Sequence, residues 1–397
     1  MPPTPAMPAP DAPPSFTHKR VAVVTGSRAE FGLLLPVMRA IEAHPSLTLL
    51  TVVCGSHLLP PAETINEVRR SFRIDATVPM QDPDLPRTRA TDALAVGRGI
   101  VGFSSTFDRL NPEWVVVLGD RIEAFAAAAA ASIGGRAVAH LHGGDRAEGI
   151  ADEAMRHAIT KLAHLHLPAT RQSAERIARM GEDPAHIVVV GSPAIDGLAD
   201  VHPMSDADAA ELGDPRAALL LHPSGLSNDD EARIAEATIA AARAEFGAST
   251  VLCFMPNHDP GRDAIAAVLR TRCRELDWPL LDHLPRPAFL SLLRRLALRG
   301  GVLIGNSSAG LIEAAALGLP VANIGPRQAG RERPDNVVDA SHATEAEIAA
   351  AIRTALLLDR SRITHPYGDG RAGPRAAEAL AATDPHAAGL LRKRCTY

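Results

Sequence analysis

The richest concentration of chemically capable side chains is HLHGGDRAEGIADEAMRHAITKLAHLH, residues 140–166. His140 and His142 alternate along a strand, a spacing that predicts one shared face, with Leu141 pointing away. Gly143 and Gly144 allow a sharp turn before Asp145. On the helix that follows, Glu153 and His157 are four residues apart, and Asp152 and Arg156 form a second pair at the same spacing. Acids and imidazoles crowded onto one sheet edge suit general acid–base work. The bland alternative, a helical ion pair, accounts for Asp152–Arg156 but not for the whole cluster. Zinc is a further alternative, because His140, His142 and Asp145 are all ligand types. Against it, no second ligand set follows downstream, and His164 and His166 read as structural.

Other motifs have the character of anion sites. TGSRAEFG (25–32) ends a strand at a glycine and opens a helix near Ser27 and Arg28, where unpaired N–H groups and a guanidinium favour phosphate. LIGNSSAGLIEAAALG (303–318) repeats that design with Ser307 and Ser308 at the turn. Glu313, further along, could accept hydrogen bonds from a ribose diol. A plain helix cap explains Ser307 equally, and capping and phosphate binding are compatible. LGDRIEAF (118–125) puts Asp120 just beyond a buried strand, as either an N-cap or a cleft carboxylate. LLLHPSGLSND (219–229) places His222 at a strand end. PNHDPGRD (256–263) offers Asn257, Asp259 and a helix opening near Gly261. LPRPAF (284–289) and IGPRQAGRERPDN (324–336) supply Arg286, Arg327, Arg331 and Arg333, some of which belong to ordinary ion pairs.

The elements that must position these residues come in a regular alternation. Apolar runs at 21–26, 47–55, 114–119, 137–144 and 186–191 read as strands buried on both faces. Helical segments are expected near 29–43, 91–110, 121–132, 152–164 and 171–180. After a polar stretch at 191–216 that reads as a hinge, strands recur at 218–222, 249–256, 301–305 and 320–325. Helices follow near 229–246, 260–273, 287–298, 309–317 and 344–358. The pattern predicts an α/β protein of two doubly wound Rossmann-like domains facing across a cleft. The expected divisions are a disordered leader at 1–17 with seven prolines, domains at 18–200 and 201–370, and a helical tail at 371–397.

Bulk properties narrow the function classes. At 397 residues, two cores are the natural expectation. A formal net charge of -5 and only 3% aromatic residues argue against nucleic acid as a partner. No apolar run reaches the ~18–20 residues of a membrane span. The four cysteines, Cys54, Cys253, Cys273 and Cys395, form no CxxC pair. With no signal-peptide pattern at the N-terminus, the cytoplasm is the expected location.

TGSRAEFG, LGDRIEAF, HLHGGDRAEGIADEAMRHAITKLAHLHL, GNSSAGLIEAAALGLP and NIGPRQAGR, in that order, resemble the hydrolysing UDP-N-acetylglucosamine 2-epimerases of the sialic- and legionaminic-acid branch. The resemblance implies a glycosyltransferase-B-like fold, a homodimer or homotetramer, a UDP-amino-sugar substrate, and neither cofactor nor metal. It implies that Arg28, Ser307, Ser308 and Glu313 hold diphosphate and ribose, that Arg327 lies on the phosphate side, and that His57 lines the sugar pocket. Asp120, His142, Asp152, Glu153 and His222 match positions linked to catalysis, with Asp145 and His222 orienting water or hydroxyls. Some relatives carry glutamate where this chain has His142. The expected reaction eliminates UDP to a glucal-type intermediate and adds water, releasing the free 2-epimer. A transferase on the same fold, a metal-dependent hydrolase and a non-catalytic nucleotide-sugar sensor are the alternatives.

Overall fold

The computed structural model describes residues 18–397 except 61–63, 86–87, 147–152, 248, 258, 260, 395 and 397. The expected leader at 1–17 and Asp152 therefore lie outside the described residues.

Two parallel six-stranded sheets form the framework. The first comprises β1 (Lys19–Thr25), β2 (Leu47–Cys54), β3 (Ala76–Val78), β4 (Trp114–Leu118), β5 (Ala137–Leu141) and β6 (Leu165–Leu167), in the order β3-β2-β1-β4-β5-β6. The second comprises β7 (Ala217–Leu220), β8 (Val251–Phe254), β9 (Leu280–Leu281), β10 (Val302–Gly305), β11 (Val321–Ile324) and β12 (Val337–Ala340). Its order, β12-β11-β10-β7-β8-β9, is the same topology again. Strand order therefore reverses between β1 and β4 in one lobe and between β7 and β10 in the other. Such switch points open a crevice beyond the strand C-termini, where open α/β sheets bind ligands. The α/β, doubly wound expectation matches this architecture.

The central strands are apolar throughout because helices cover both faces. WVVVL of β4, for example, is buried at all five positions. Ala126 to Ala131 are buried in the helix Ile122–Ile133. Their small side chains let the helix Arg89–Leu110 approach closely: a Cβ on its Gly99 would lie 2.9 Å from the Ala126 Cβ.

Three expectations change. The run 186–191 forms no regular strand; it touches β6 through one bridge, His166 to Ile187. Its amides at Val188 and Val190 donate to His166 and Pro168, but Pro168 has no N–H to continue the ladder. The edge strand is instead the three-residue β6. The proposed hinge at 191–216 is structured. It holds two short 3₁₀ turns and the helix Asp206–Glu211, and Ala194, Ile195, Leu198, Met204 and Ala209 are buried in the second lobe's core. The helix expected at 309–317 is broken at Ile312 into Ser308–Leu311 and Glu313–Ala316.

The C-terminal helix Ala372–Ala382 returns to the first lobe, where Ala376 and Leu380 join its core. Asp196 caps it by accepting the amides of Ala372 and Gly373. Gly373 is needed there, since a Cβ would sit 2.6 Å from the Pro36 carbonyl oxygen. Ser192 N–H donates to the Tyr367 carbonyl (2.8 Å), so the outgoing and returning crossings between lobes are bonded to each other.

Candidate active site

In the first lobe the turn after β1 is braced from within. Ser27 caps the helix Arg28–Ala43 by accepting the Glu30 amide, and the buried Glu30 carboxyl accepts the Gly26 amide at 2.6 Å. Burial pushes the Glu30 pKa up to about 8, helped by nearby Glu123. His57 is fully buried, with Nε2 3.1 Å from the Thr25 hydroxyl and Nδ1 2.7 Å from that of Thr64. Burial lowers its pKa to about 4, so it is a neutral brace of this turn with both ring nitrogens engaged. Arg28 itself is partly exposed and 3.7 Å from Glu67. Burial lowers the pKa of His283 in the second lobe, and the Arg28 charge adds to the effect.

Beyond β4, Asp120 is not the cap of the next helix: that position is Arg121, with no side-chain cap bond. The Asp120 carboxylate instead bonds the buried Arg156 guanidinium, whose other amino group donates to the His142 carbonyl (3.1 Å). Burial lowers the Arg156 pKa to about 9, and Arg331 adds to the effect. His142 lies past the end of β5 with φ 59°. That left-handed residue ends the strand alternation, and the two histidines diverge. His140 Nε2 meets the Gly119 carbonyl (2.8 Å), with Nδ1 toward Thr160. His142 Nδ1 meets Asp145 (2.8 Å), and its Nε2 meets the Ser192 hydroxyl (3.1 Å). The expected shared face, and with it convergence of His140, His142 and Asp145 on one ion, is overturned by this backbone conformation. Among the described residues, no three His, Cys, Asp or Glu side chains gather as a metal-holding group.

Asp145 also accepts from the Ser173 hydroxyl (2.8 Å). Burial raises its pKa, but His142, Arg331 and Ser173 outweigh that and hold it below the ordinary value. An ionised Asp145 is acceptor-only, so His142 Nδ1 donates the proton in that bond, while Nε2 lies against the Ser192 hydroxyl. Glu153 starts the helix Glu153–Leu162 and lies 3.3 Å from His157, the spacing expected of an i, i+4 pair.

The second lobe holds a matching group around its own switch point. Asn306, at the end of β10, clamps His222 beyond β7: its Oδ1 accepts the His222 amide (2.7 Å) and its Nδ2 donates to the His222 carbonyl (2.8 Å). His222 Nδ1 accepts the Asn257 amide (3.1 Å). Burial and the Arg327 charge lower its pKa to about 3. His222 is therefore neutral with its proton on Nε2, a donor rather than a base. Asn257 bonds Asp259, and Asp259 lies 3.4 Å from Arg327, which also donates to the carbonyls of Pro223 and Asn306. Ser307 caps the short turn at Ser308. Glu313 is paired with Arg286 at 2.8 Å, and Arg286 reaches across to the Ala194 carbonyl (2.7 Å).

Asp120, His142 and Asp145 are thus brought into one bonded network in the first lobe, and His222, Asn257, Asp259 and Arg327 into another in the second. Glu153, Arg28 and the Arg286–Glu313 pair stand outside these networks on the same strand-end side. Arg156, Ser173, Ser192 and Asn306 complete the networks and escaped sequence reasoning as site residues. Asn306 had a legible signal, its place in the turn LIGNSS; Ser173 and Ser192 had none.

Residues 39–381 match the UDP-N-acetylglucosamine 2-epimerase family. The chain is 35% identical over 387 residues to the UDP-N,N'-diacetylbacillosamine 2-epimerase (hydrolyzing) of Legionella pneumophila, covering 96% of this chain and 100% of that protein. It is 30% identical to the UDP-N-acetylglucosamine 2-epimerase of Neisseria meningitidis, over 89% of this chain and 91% of that protein. Among solved structures, the Neisseria meningitidis UDP-GlcNAc 2-epimerase bound to UDP-GlcNAc superposes with a TM-score of 0.75 at 17% identity. The match covers 92% of this chain and 100% of that one, and it shows the same glycosyltransferase-B-like pair of lobes. With most of its length matched and its sheets arranged in this way, the chain belongs to the UDP-N-acetylglucosamine 2-epimerase family.

Proposed function

We propose that this family member is a hydrolysing 2-epimerase that converts a UDP-amino sugar, UDP-N-acetylglucosamine or a UDP-2,4-diacetamido sugar, into the free 2-epimer and UDP. The observation that carries the reading is Asp120. It is held by Arg156 beside the first lobe's switch point rather than spent as a helix cap, and the His142–Asp145 pair adjoins it.

In this mechanism a first-lobe group, Asp120 or Glu153, takes the C2 proton while the C1–O bond to UDP breaks. The electron pair forms a C1=C2 double bond, and UDP leaves with the bonding electrons. Water then adds its hydroxyl to C1 while a proton reaches C2 from the opposite face. The atoms balance as nucleotide sugar plus water giving free sugar plus UDP. Arg28, the Ser307–Ser308 turn and the Nε2 donor of His222 are suited to the developing diphosphate charge, because preorganised donors need no reorganisation as charge appears. Glu313 and Arg327 serve ribose and phosphate, and Asp145 orients water through His142. A cytoplasmic homodimer or homotetramer is the form proposed for the working enzyme.

The test is to incubate the protein in D₂O with UDP-N-acetylglucosamine or UDP-N,N'-diacetylbacillosamine and to follow proton and phosphorus NMR. Free 2-epimer bearing deuterium at C2, with equimolar UDP, is the expected product. A 2-epimer still joined to UDP would replace hydrolysis by simple epimerisation, and sugar transfer only when an acceptor is added would point to a transferase.

A further inference from the structure

Apart from the residues assigned above, the two lobes border a cavity of about 700 Å³ whose walls carry four arginines. Arg146 and Arg176 come from the first lobe, Arg331 and Arg333 from the second. The two acids in the lining, Glu332 and Asp335, already have partners. Asp335 accepts the amide and hydroxyl of Thr364, and Glu332 accepts the Thr170 hydroxyl.

Three of the arginines are also engaged. Arg176 donates to the Gly144 carbonyl and to Gln172, Arg333 bonds Asp339 and the Gln328 carbonyl, and Arg146 lies 4.0 Å from Glu153. Arg331 differs: among the described residues its guanidinium has no hydrogen-bond or ion-pair partner, and its Nε is buried. A buried donor without an acceptor is costly, and a guanidinium's planar fork is matched best by a carboxylate or a phosphate. The cavity has the volume of a small-molecule site. With a net charge of -5 over the chain, the concentration of cations is local to this wall.

We propose that this cavity is a binding site for a small oxyanion, a carboxylate or a phosphate, separate from the nucleotide site and held by Arg331 with support from Arg146, Arg176 and Arg333. Its walls belong to both lobes, so an occupant stabilises their present arrangement. The Arg331 charge acts on Asp145 and Arg156, so occupancy is sensed in the first-lobe network.

Isothermal titration calorimetry on the full chain tests this with inorganic phosphate and with citrate, each alone, so that nucleotide binding is not assumed. Saturable binding of phosphate only assigns a phosphate ligand, and of citrate only a carboxylate. In either case Arg331→Gln weakens the affinity about tenfold or more, while Arg28→Gln, at the proposed nucleotide site, leaves it within about twofold. Circular dichroism checks that Arg331→Gln is folded; if it is not, Arg146→Gln on the opposite wall decides by a loss of several-fold. No saturable binding of either probe overturns the proposal. So does affinity that survives Arg331→Gln, or that Arg28→Gln abolishes.

Discussion

Replacing Asp120 by asparagine separates chemistry from architecture at the proposed centre. Asparagine keeps the shape and one oxygen facing Arg156 but removes the charge and the basic site. If Asp120 takes the C2 proton, kcat falls by about 10²–10⁴, the usual contribution of a positioned general base. At 1.36 kcal/mol per factor of ten, that is roughly 3–5 kcal/mol of transition-state stabilisation. The structural cost is smaller. Arg156 is almost fully buried, but the Asp120 side chain is 20% exposed and its replacement still accepts a hydrogen bond. Losing the charge on that bond costs about 1–3 kcal/mol, which a chain with ~5–15 kcal/mol of stability survives. Of the proposed diphosphate donors, Ser307, Ser308 and His222 belong to the other lobe and Arg28 is paired with Glu67 rather than with Asp120, so UDP affinity stays within a few-fold. Product release measured by NMR, UDP titration by calorimetry and thermal melting read the three quantities separately. A folded variant that retains more than a tenth of wild-type kcat would refute the assignment of Asp120 as base. A folded variant that no longer binds UDP would make Asp120 an organiser of the cleft.

Other expectations follow from the same geometry. Gly305→Ala should be lost to the insoluble fraction or destabilised by more than about 4 kcal/mol, because at φ 138° an added Cβ would lie 2.0 Å from the Leu220 carbonyl oxygen; a soluble variant with wild-type melting would count against this packing. At Glu182 burial opposes ionisation, but hydrogen bonds from His166, Lys161 and Lys393 prevail and hold its pKa at about 2. A depressed carboxyl pKa stabilises the fold above the unfolded value, about 4.5, and the gain disappears as pH falls toward 2. Glu182→Gln should therefore melt earlier than wild type at pH 7, by on the order of 3 kcal/mol, and the gap should close only as pH approaches 2; an equal gap at neutral pH and at the acid end would contradict this. Because His140 and His142 point to different partners, dialysis against EDTA should leave turnover unchanged, and loss of activity restored by one divalent metal would revive the metal reading.

Much of this protein could be read from one dimension. Continuous apolar runs such as WVVVL suit strands buried on both faces, and their alternation with helices pointed to the doubly wound lobes. Glycines and small polar residues at strand ends marked the turns, which is why Arg28, Asp120, His222, Ser307 and Ser308 could be placed just beyond strand C-termini. Short edge strands were not legible: β6 and β9 have three and two residues, too few for any period, and form only because a neighbouring strand supplies partners. The break at Ile312 and the φ of 59° at His142 were likewise invisible, since both are backbone choices stabilised by tertiary contacts.

Partner choice was decided in three dimensions. The fold brings Asp120, 36 residues away in sequence, to the Arg156 guanidinium, a pairing that no local spacing announces. Sequence spacing offered His140 to His142, whereas the turn after β5 sends one to a backbone carbonyl and the other to Asp145 and Ser192. Local spacing says which side chains can meet along one element. Which of them do meet depends on how elements pack, because each buried charge takes the partner whose approach the whole core permits.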